Sequence, residues 1–283
     1  MTWPIAVAVL IAAITHASWN ALAHAIDDKL QAFTLVGLGG GIGGLALVLL
    51  APLPHADAWP FLLGSVVIHV TYQTLLMKSF KLGDFSQMYP IARGTAPLVV
   101  TLLAAVFVGE VPNAWQTAGV VLASCGLAGV ALWGLRGGGE RPKWPALAAA
   151  VCTGLAIASY TVVDGVGVRD SGTALGYCGW LLLLQGWQIP LYTLHRERGA
   201  FLGWLRPVWV RGLAGGLLSL AAYGLVLWAQ TKGDLAPISA LRESSIIVGA
   251  VFGTVFFNER FGRSRLIGAL VMVAGIGLML HSG

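Results

Sequence analysis

Charged residues are scarce along this chain, and that scarcity excludes an ordinary soluble domain. Of the 283 residues, 10% are charged and 57% are hydrophobic, whereas soluble domains carry about 25% charged residues. The stretches 36–50, 98–108 and 246–257 contain no charge at all. The composition therefore predicts an all-α integral membrane protein.

Cysteines and long hydrophilic connections are also few. Cys125, Cys152 and Cys178 fall inside apolar segments without the spacing of metal ligands, so we expect small core residues and no metal or cofactor. The longest hydrophilic stretches, 136–143 and 195–211, are too short for a soluble domain. The chain is therefore expected to consist almost entirely of spanning helices and their connections.

Ten apolar segments are long enough to cross a hydrocarbon core of about 30 Å, which takes roughly 20 residues. They lie near 3–25, 30–51, 59–80, 85–108, 112–135, 144–163, 173–194, 208–230, 235–257 and 262–281. The first segment has no Lys or Arg before it and is long enough to span, so we expect a retained helix and not a signal peptide.

The second half of the sequence repeats features of the first. Trp3-Pro4 matches Trp144-Pro145 at an offset of 141, and a later offset of 149 relates four further pairs. Those pairs are Arg93 with Arg242, Glu110 with Glu259, Gly119 with Gly268, and Gly126 with Gly275. A duplicated membrane chain is typical of secondary transporters, whose substrate site lies where the repeats meet. We therefore predict two five-helix repeats, over 1–137 and 144–283.

Two stretches at this offset carry a family resemblance. They read Pro90…Pro97…Gly109-Glu110…Gly119…Gly126 and Pro237…Asn258-Glu259…Gly268…Gly275. This pattern resembles the EamA-type repeat of the drug/metabolite transporter superfamily, over essentially the whole chain. The resemblance implies ten helices as two inverted five-helix repeats, a cavity lined by helices 1, 3, 4, 6, 8 and 9, and alternating access. It also implies a metabolite as substrate and both termini in the cytoplasm.

The distribution of cations predicts the opposite orientation. Thirteen loop cations fall on one side of the ten-segment map, and only Arg169 and Lys232 fall on the other. The thirteen are Lys29, Lys78, Lys81, Arg136, Arg141, Lys143, Arg196, Arg198, Arg206, Arg211, Arg260, Arg263 and Arg265. This is the positive-inside pattern and not a nucleic-acid patch, so it places both termini outside the cytoplasm of a cell (inner) membrane.

Two arginines lie deep inside predicted helices. Arg93 is about eight residues into the fourth segment and Arg242 about seven into the ninth, some 10–12 Å deep at 1.5 Å per residue. A guanidinium group binds carboxylate or phosphate through a bidentate fork, which favours an anion clamp. Two alternatives stay open: Glu243 pairs with an arginine as a structural lock, or Glu243 carries a proton as a gate.

Polar and aromatic residues on other segments are candidates for the cavity wall. They are Tyr89 beside Arg93, Trp19 and Asn20 on the first segment, Tyr72 and Gln73 on the third, Ser159 and Tyr160 on the sixth, and Tyr223 on the eighth. Aromatic rings with polar neighbours suit the organic body of a metabolite. Hydrogen bonding between helices is the alternative reading for each residue.

The function that these features favour is secondary active transport of a small organic metabolite with an anionic group. The partners expected are that substrate, membrane lipid, and either a proton or a counter-substrate, with the protein a monomer or homodimer. A lipid-linked sugar flippase is a variant of this function. An intramembrane enzyme or a non-transporting sensor belongs to a different class, and we expect no enzyme because no HExxH, acidic dyad or Ser-His arrangement occurs in the sequence.

Overall fold

The computed structural model describes residues 1–82, 85–136, 144–257 and 263–281, and every long element in those ranges is a helix. The first half contains α1 (Trp3–His24), α2 (Lys29–Leu50), α3 (Trp59–Leu82), α4 (Phe85–Leu103) and α5 (Ala114–Arg136). The second half contains α6 (Trp144–Asp170), α7 (Ala174–Gln185), α8 (Gln188–Glu197), α9 (Phe201–Leu205), α10 (Trp209–Gln230), α11 (Leu235–Arg242), α12 (Ser245–Phe257) and α13 (Arg263–His281). The all-helical prediction is confirmed for these residues.

Two of the predicted segments are broken in the structure. The seventh becomes α7 and α8, separated at Gly186 and Trp187. Pro190 has no N–H to donate to the carbonyl of Gly186, so the helical ladder is interrupted at that turn. The ninth becomes α11 and α12, separated at Glu243 and Ser244.

Six stretches of the described residues are long and apolar enough to cross a membrane. They are Trp3–His24, Lys29–Leu50, Ala56–Leu76, Ile91–Val108, Trp144–Asp170 and Ala174–Gln230, the last of which joins several helices. Large apolar side chains such as Val106 and Leu49 are exposed on the outside of the bundle, where lipid would cover them. The arrangement of exactly ten spans stays a prediction.

Glycines bring α5 and α13 into close contact. A methyl group at Gly119 would collide with the backbone oxygen of Gly275, and one at Gly126 would collide with that of Gly268. The contacts are reciprocal between the repeats, because Gly119 matches Gly268 in sequence while Gly126 matches Gly275. The two helices therefore cross in antiparallel directions, with small residues permitting the close approach.

The cysteines are only partly in the core. Cys178 is buried, but Cys125 and Cys152 are exposed on the surface of the helical bundle. The prediction of three core cysteines is therefore wrong for two of them. The outer surface of this bundle is also apolar, so the hydrophobic character of a residue does not show whether it faces the core or the outside.

Candidate binding cavity

A cavity of about 130 Å³ lies between the two halves of the bundle. Its wall combines side chains from α1, α2, α3, α4, α6, α7, α8, α10 and α11. Seven of the residues that the sequence predicts for the site lie on it: Trp19, Tyr72, Gln73, Arg93, Tyr160, Tyr223 and Arg242. Helices that are far apart in sequence thus bring both arginines and most of the predicted aromatic residues to one space.

Two predicted lining residues do not lie on the cavity wall. The Asn20 amide donates instead to the carbonyl oxygen of His16 at 2.8 Å. The Ser159 hydroxyl donates to the carbonyl oxygen of Leu155 at 2.9 Å. Each polar group is satisfied by its own helix, so neither needs a partner in the cavity. The side chain of Tyr89 lies outside the described residues.

Glu243 lies behind the wall and contacts both arginines. Its Oε2 is 2.8 Å from Arg93 Nε, and its Oε1 is 4.0 Å from Arg242 Nε. The exposed fraction is 4% for Arg93, 4% for Arg242 and 0% for Glu243. One carboxylate therefore lies between two guanidinium groups in a water-poor setting, and the three groups carry a net charge of +1.

The two arginines differ in how completely this carboxylate engages them. Arg93 forms the short contact, whereas the distance from Arg242 to Glu243 is too long for a hydrogen bond. Among the residues that the structure describes, Arg242 Nε and Nη2 have no hydrogen-bond acceptor. Buried donors are nearly always satisfied in native proteins. Because Arg93 is 2.8 Å from Glu243 and Arg242 is 4.0 Å from it, Arg242 is the better candidate to receive an acceptor from a ligand.

Aromatic rings form the part of the wall contributed by α3, α6 and α10. The His69 ring stacks on Tyr160 with centroids 4.0 Å apart, and it meets Tyr223 edge-on at 5.7 Å. Tyr72 also meets Tyr160 edge-on, at 5.6 Å. On α1, the Trp19 indole donates to His16 Nδ1 at 3.2 Å. Such a wall offers flat apolar surface together with polar edges.

Sequence reasoning missed Asp164, which is fully buried on α6. Its Oδ1 accepts a hydrogen bond from the Tyr177 hydroxyl at 2.9 Å, and its Oδ2 accepts one from the Tyr223 hydroxyl. The sixth segment was predicted to end at residue 163, whereas α6 continues to Asp170. The apolar run Gly165–Val168 beyond Asp164 was the available signal that the helix goes on.

A second ion pair, between Arg169 and Glu110, joins four helix ends away from Arg93 and Arg242. Arg169 Nη1 lies 2.6 Å from Glu110 Oε1, and Glu110 Oε2 accepts from the Leu235 backbone N–H at 2.7 Å. Arg169 also donates to the carbonyl oxygens of Gln230 and Gly233, each at 2.8 Å. This network ties the turn after α4 to the ends of α6 and α10 and to the start of α11. The repeat-related Glu259 lies outside the described residues.

Comparison with known proteins identifies relatives over almost the whole chain. The sequence model of the EamA-like transporter family matches residues 3–132 and 144–281. A WAT1-related chloroplastic protein of Arabidopsis thaliana is 25% identical over 267 residues, which cover 88% of this chain and 61% of that protein. A UPF0060 membrane protein of Mycobacterium marinum is 32% identical over 88 residues, which cover 30% of this chain and 80% of that protein.

A solved crystal structure shares the fold. It superposes with a TM-score of 0.73 at 18% sequence identity and covers 98% of this chain and 96% of its own. The chain spans 61% of the length of the chloroplastic relative, and its match to a second WAT1-related Arabidopsis protein spans 18% of that protein.

Proposed function

Because the chain belongs to the EamA-like transporter family, within the drug/metabolite transporter superfamily, we propose that it is a secondary carrier for a small organic anion. The multi-pass membrane setting follows from the family and from the apolar helices. The observation that supports the anionic substrate is Arg242, a buried cation on the cavity wall whose Nε and Nη2 have no acceptor among the described residues.

The charge of the arginine cluster favours an anion. An Arg at the centre of a bilayer costs about 2.5–3.5 kcal/mol on insertion scales, so two of them need compensation. Glu243 compensates one guanidinium group, and a carboxylate or phosphate of the substrate would compensate the other. The planar fork of Arg242 would hold two anion oxygens at once.

The rest of the wall supports an organic body on that anion. Tyr72, Tyr160 and Tyr223 present ring faces and edges, and Gln73 adds an amide that can donate or accept. These groups can bind and orient a solute. A hydrolase or a transferase needs other groups, such as a nucleophile with a general base beside it. We therefore place the protein among carriers and not among enzymes.

Transport would proceed by alternating access of two inverted repeats, over 1–137 and 144–283. The separate family matches to 3–132 and 144–281 support this division. The reciprocal glycine contacts of α5 and α13 support inversion, because a twofold axis perpendicular to both helices relates residues in that way.

The Glu110–Arg169 network would close one side of the cavity. It fastens the turn after α4, α6, α10 and α11 to one another through one ion pair and three hydrogen bonds to backbone groups. Opening on that side requires these contacts to separate. Because the pair is partly exposed, at 28% for Arg169 and 16% for Glu110, its separation is far less costly than that of a fully buried pair.

We also propose that the protein resides in the cell (inner) membrane with its termini outside the cytoplasm. The support is the thirteen-to-two distribution of loop cations. Alkaline phosphatase and green fluorescent protein, fused separately to Gly283, measure the orientation. Phosphatase activity without fluorescence is expected, and fluorescence without phosphatase activity would overturn the orientation.

The test of the substrate class is a thermal-shift screen of purified protein against a metabolite library. A ligand at a hundredfold excess over its dissociation constant stabilises the folded state by about 2.7 kcal/mol. We expect organic carboxylates or phosphates to raise the Tm of the wild type and to have no effect on Arg242→Ala. Arg211→Ala, at an exposed arginine of α10, is the matched control and should respond like the wild type. Stabilisation by cations or neutral solutes alone, or an undiminished response of Arg242→Ala, would refute an anion carrier.

A further inference from the structure

We propose that Asp164 is a proton-binding group that exchanges its proton with the cavity through Tyr223. Its role in transport, which rests on the proposed anion carrier, would be to take up one proton when an anion enters. The ligand of this second site is thus the proton itself.

The surroundings of Asp164 are polar. Two tyrosine hydroxyls from α7 and α10 donate to its two oxygens, and the Ser65 hydroxyl faces it from α3. Within the part of the chain that the structure describes, Asp164 has no ion-pair partner. A fully buried, unpaired carboxylate is costly in a membrane protein, so its neutral form is within reach.

The titratable groups around Asp164 come from α3, α7 and α10. Those facing it are His69 on α3, Tyr177 and Cys178 on α7, and Tyr223 on α10. The charged groups on α4, on α11 and at the break after α11 are Arg93, Arg242 and Glu243, which form the cluster described above. Of the groups that face Asp164, His69 and Tyr223 also lie on the cavity wall. Of these two, only the Tyr223 hydroxyl is also hydrogen-bonded to Asp164, so proton exchange with the cavity can pass through Tyr223.

Protonation of Asp164 changes what Tyr223 presents to the cavity. An ionised carboxylate accepts from both tyrosine hydroxyls, as observed. In the step through Tyr223, the tyrosine hydroxyl gives its proton to an Asp164 oxygen and takes one from a hydronium ion in the cavity. One O–H bond therefore breaks for each one that forms, and a water molecule is left in the cavity. A protonated carboxyl group needs an acceptor for its own O–H. The Tyr223 oxygen can supply it, and the Tyr223 hydrogen then turns away from Asp164 towards the cavity.

The charges explain why such a proton would accompany an anion. Arg93 and Arg242 carry two positive charges, and Glu243 and ionised Asp164 carry two negative charges. A monovalent anion entering this neutral set would leave one unbalanced negative charge in a poorly solvated space. One proton on Asp164 restores neutrality.

Glu243 is less suited to this task than Asp164. A guanidinium group at 2.8 Å stabilises the ionised form of Glu243. The hydroxyl groups at Asp164 can instead hydrogen-bond with both the ionised and the neutral form. The two buried carboxyl groups thus have separate roles, one fixing an arginine and one binding a proton.

Infrared difference spectroscopy tests the proposal without any substrate. The purified protein, in a detergent without ester groups, is titrated from about pH 9 to about pH 3, which brackets ordinary carboxyl groups and extends above them. We expect a buried carboxylic C=O band on acidification that Asp164→Asn lacks and that Glu243→Gln and Asp57→Asn retain, Asp57 being exposed. In D2O the band should move to lower frequency, because the proton exchanges through the cavity.

Tyr223→Phe provides an independent test if Asp164→Asn does not fold. Losing this hydroxyl group should shift the frequency of the band, whereas Tyr192→Phe, at an exposed tyrosine of α8, should leave it in place. The proposal is overturned if Asp164→Asn keeps the full band, if Tyr223→Phe leaves its position unchanged, or if the band does not respond to D2O. Because no anion is present, a negative metabolite screen would count against the carrier proposal alone.

Discussion

The helices that carry the repeat-related arginines fold differently, although Arg93 and Arg242 occupy the same place in their repeats. α4 continues without a break past Arg93 to Leu103, whereas α11 ends at Arg242 and a new helix begins at Ser245. At the offset of 149, Gly94 and Thr95 in the first half correspond to Glu243 and Ser244 in the second. The Thr95 hydroxyl bonds back to its own helix, at 3.2 Å from the Ile91 oxygen and 3.1 Å from the Ala92 oxygen.

At the break in the second half, the backbone tightens into three-residue turns. The Glu243 N–H bonds to Ala240 O and the Ser244 N–H to Leu241 O, each at 3.1 Å. Such a turn in the middle of a helical segment often marks a functional hinge, and discontinuous helices are typical of transporter binding sites. In this comparison, Arg93 lies on a continuous helix with Glu243 at 2.8 Å, whereas Arg242 ends its helix and lies 4.0 Å from the same carboxylate.

The largest effect should come from removing the charge that only the second repeat supplies. Glu243→Gln leaves Arg93 and Arg242 without a carboxylate between them. Because breaking a buried ion pair typically costs 3–5 kcal/mol, we expect the folded state to lose about 3 kcal/mol. Thermal unfolding in detergent, without ligand, measures the loss.

The matched control for this substitution is Glu197→Gln. Glu197 pairs with Arg196 at 3.4 Å near the end of α8, where Arg196 is mostly exposed. Exposed pairs contribute about 0–1 kcal/mol, so the Tm should hardly change. An unchanged Tm for Glu243→Gln, together with a loss of pH dependence in anion binding, would instead identify Glu243 as the proton carrier.

A smaller effect should separate the two arginines by function. Arg242→Lys keeps the charge but loses the fork, and hydrogen bonds to charged groups contribute about 1.5–3 kcal/mol. We therefore expect anion affinity to fall about tenfold to hundredfold, measured by calorimetry with an anion that stabilises the wild type. Arg93→Lys should act mainly on stability: it should lower the Tm and reduce the anion affinity less than Arg242→Lys does, since Arg93 is held by Glu243. Equal losses of affinity in both variants would show that the two guanidinium groups bind the anion symmetrically.

Composition and repetition were sufficient to predict the helices and the central arginines. The scarcity of charge made spanning helices necessary, and the offset of 149 related Arg93 to Arg242 before any contact was known. Most of the predicted aromatic wall also lies on the cavity. The helices follow from composition averaged over many residues, and the arginine pair follows from an exact match between the two halves. Both kinds of signal are present in a single sequence.

Features that depend on one turn or one facing direction could not be predicted in this way. The break at Gly186 depends on a carbonyl group that Pro190 leaves without a donor, and the break at Glu243 has no proline or glycine to mark it. Asn20 and Ser159 bond to their own helices, which the identity of a polar residue does not reveal. The sequence does not mark Asp164, because a charge in an apolar segment is typical of a helix end, whereas two tyrosines from other helices satisfy it inside the bundle.

The smallest effect should come from the serines at the break in the second repeat. The hydroxyl groups of Ser244 and Ser245 are buried, and among the described residues neither has a hydrogen-bond partner. Alanine is the better helix former by about 0.5 kcal/mol and leaves no unsatisfied hydroxyl group. We therefore expect the double substitution Ser244→Ala and Ser245→Ala to stabilise the ligand-free protein by about 1 kcal/mol, measured as a raised Tm. Ser159→Ala, whose hydroxyl bonds within α6, should leave the Tm unchanged. A lowered Tm in the double variant would show that these hydroxyl groups hold the break open, and the contrast between the two repeats would then rest on the serines as well as on Glu243.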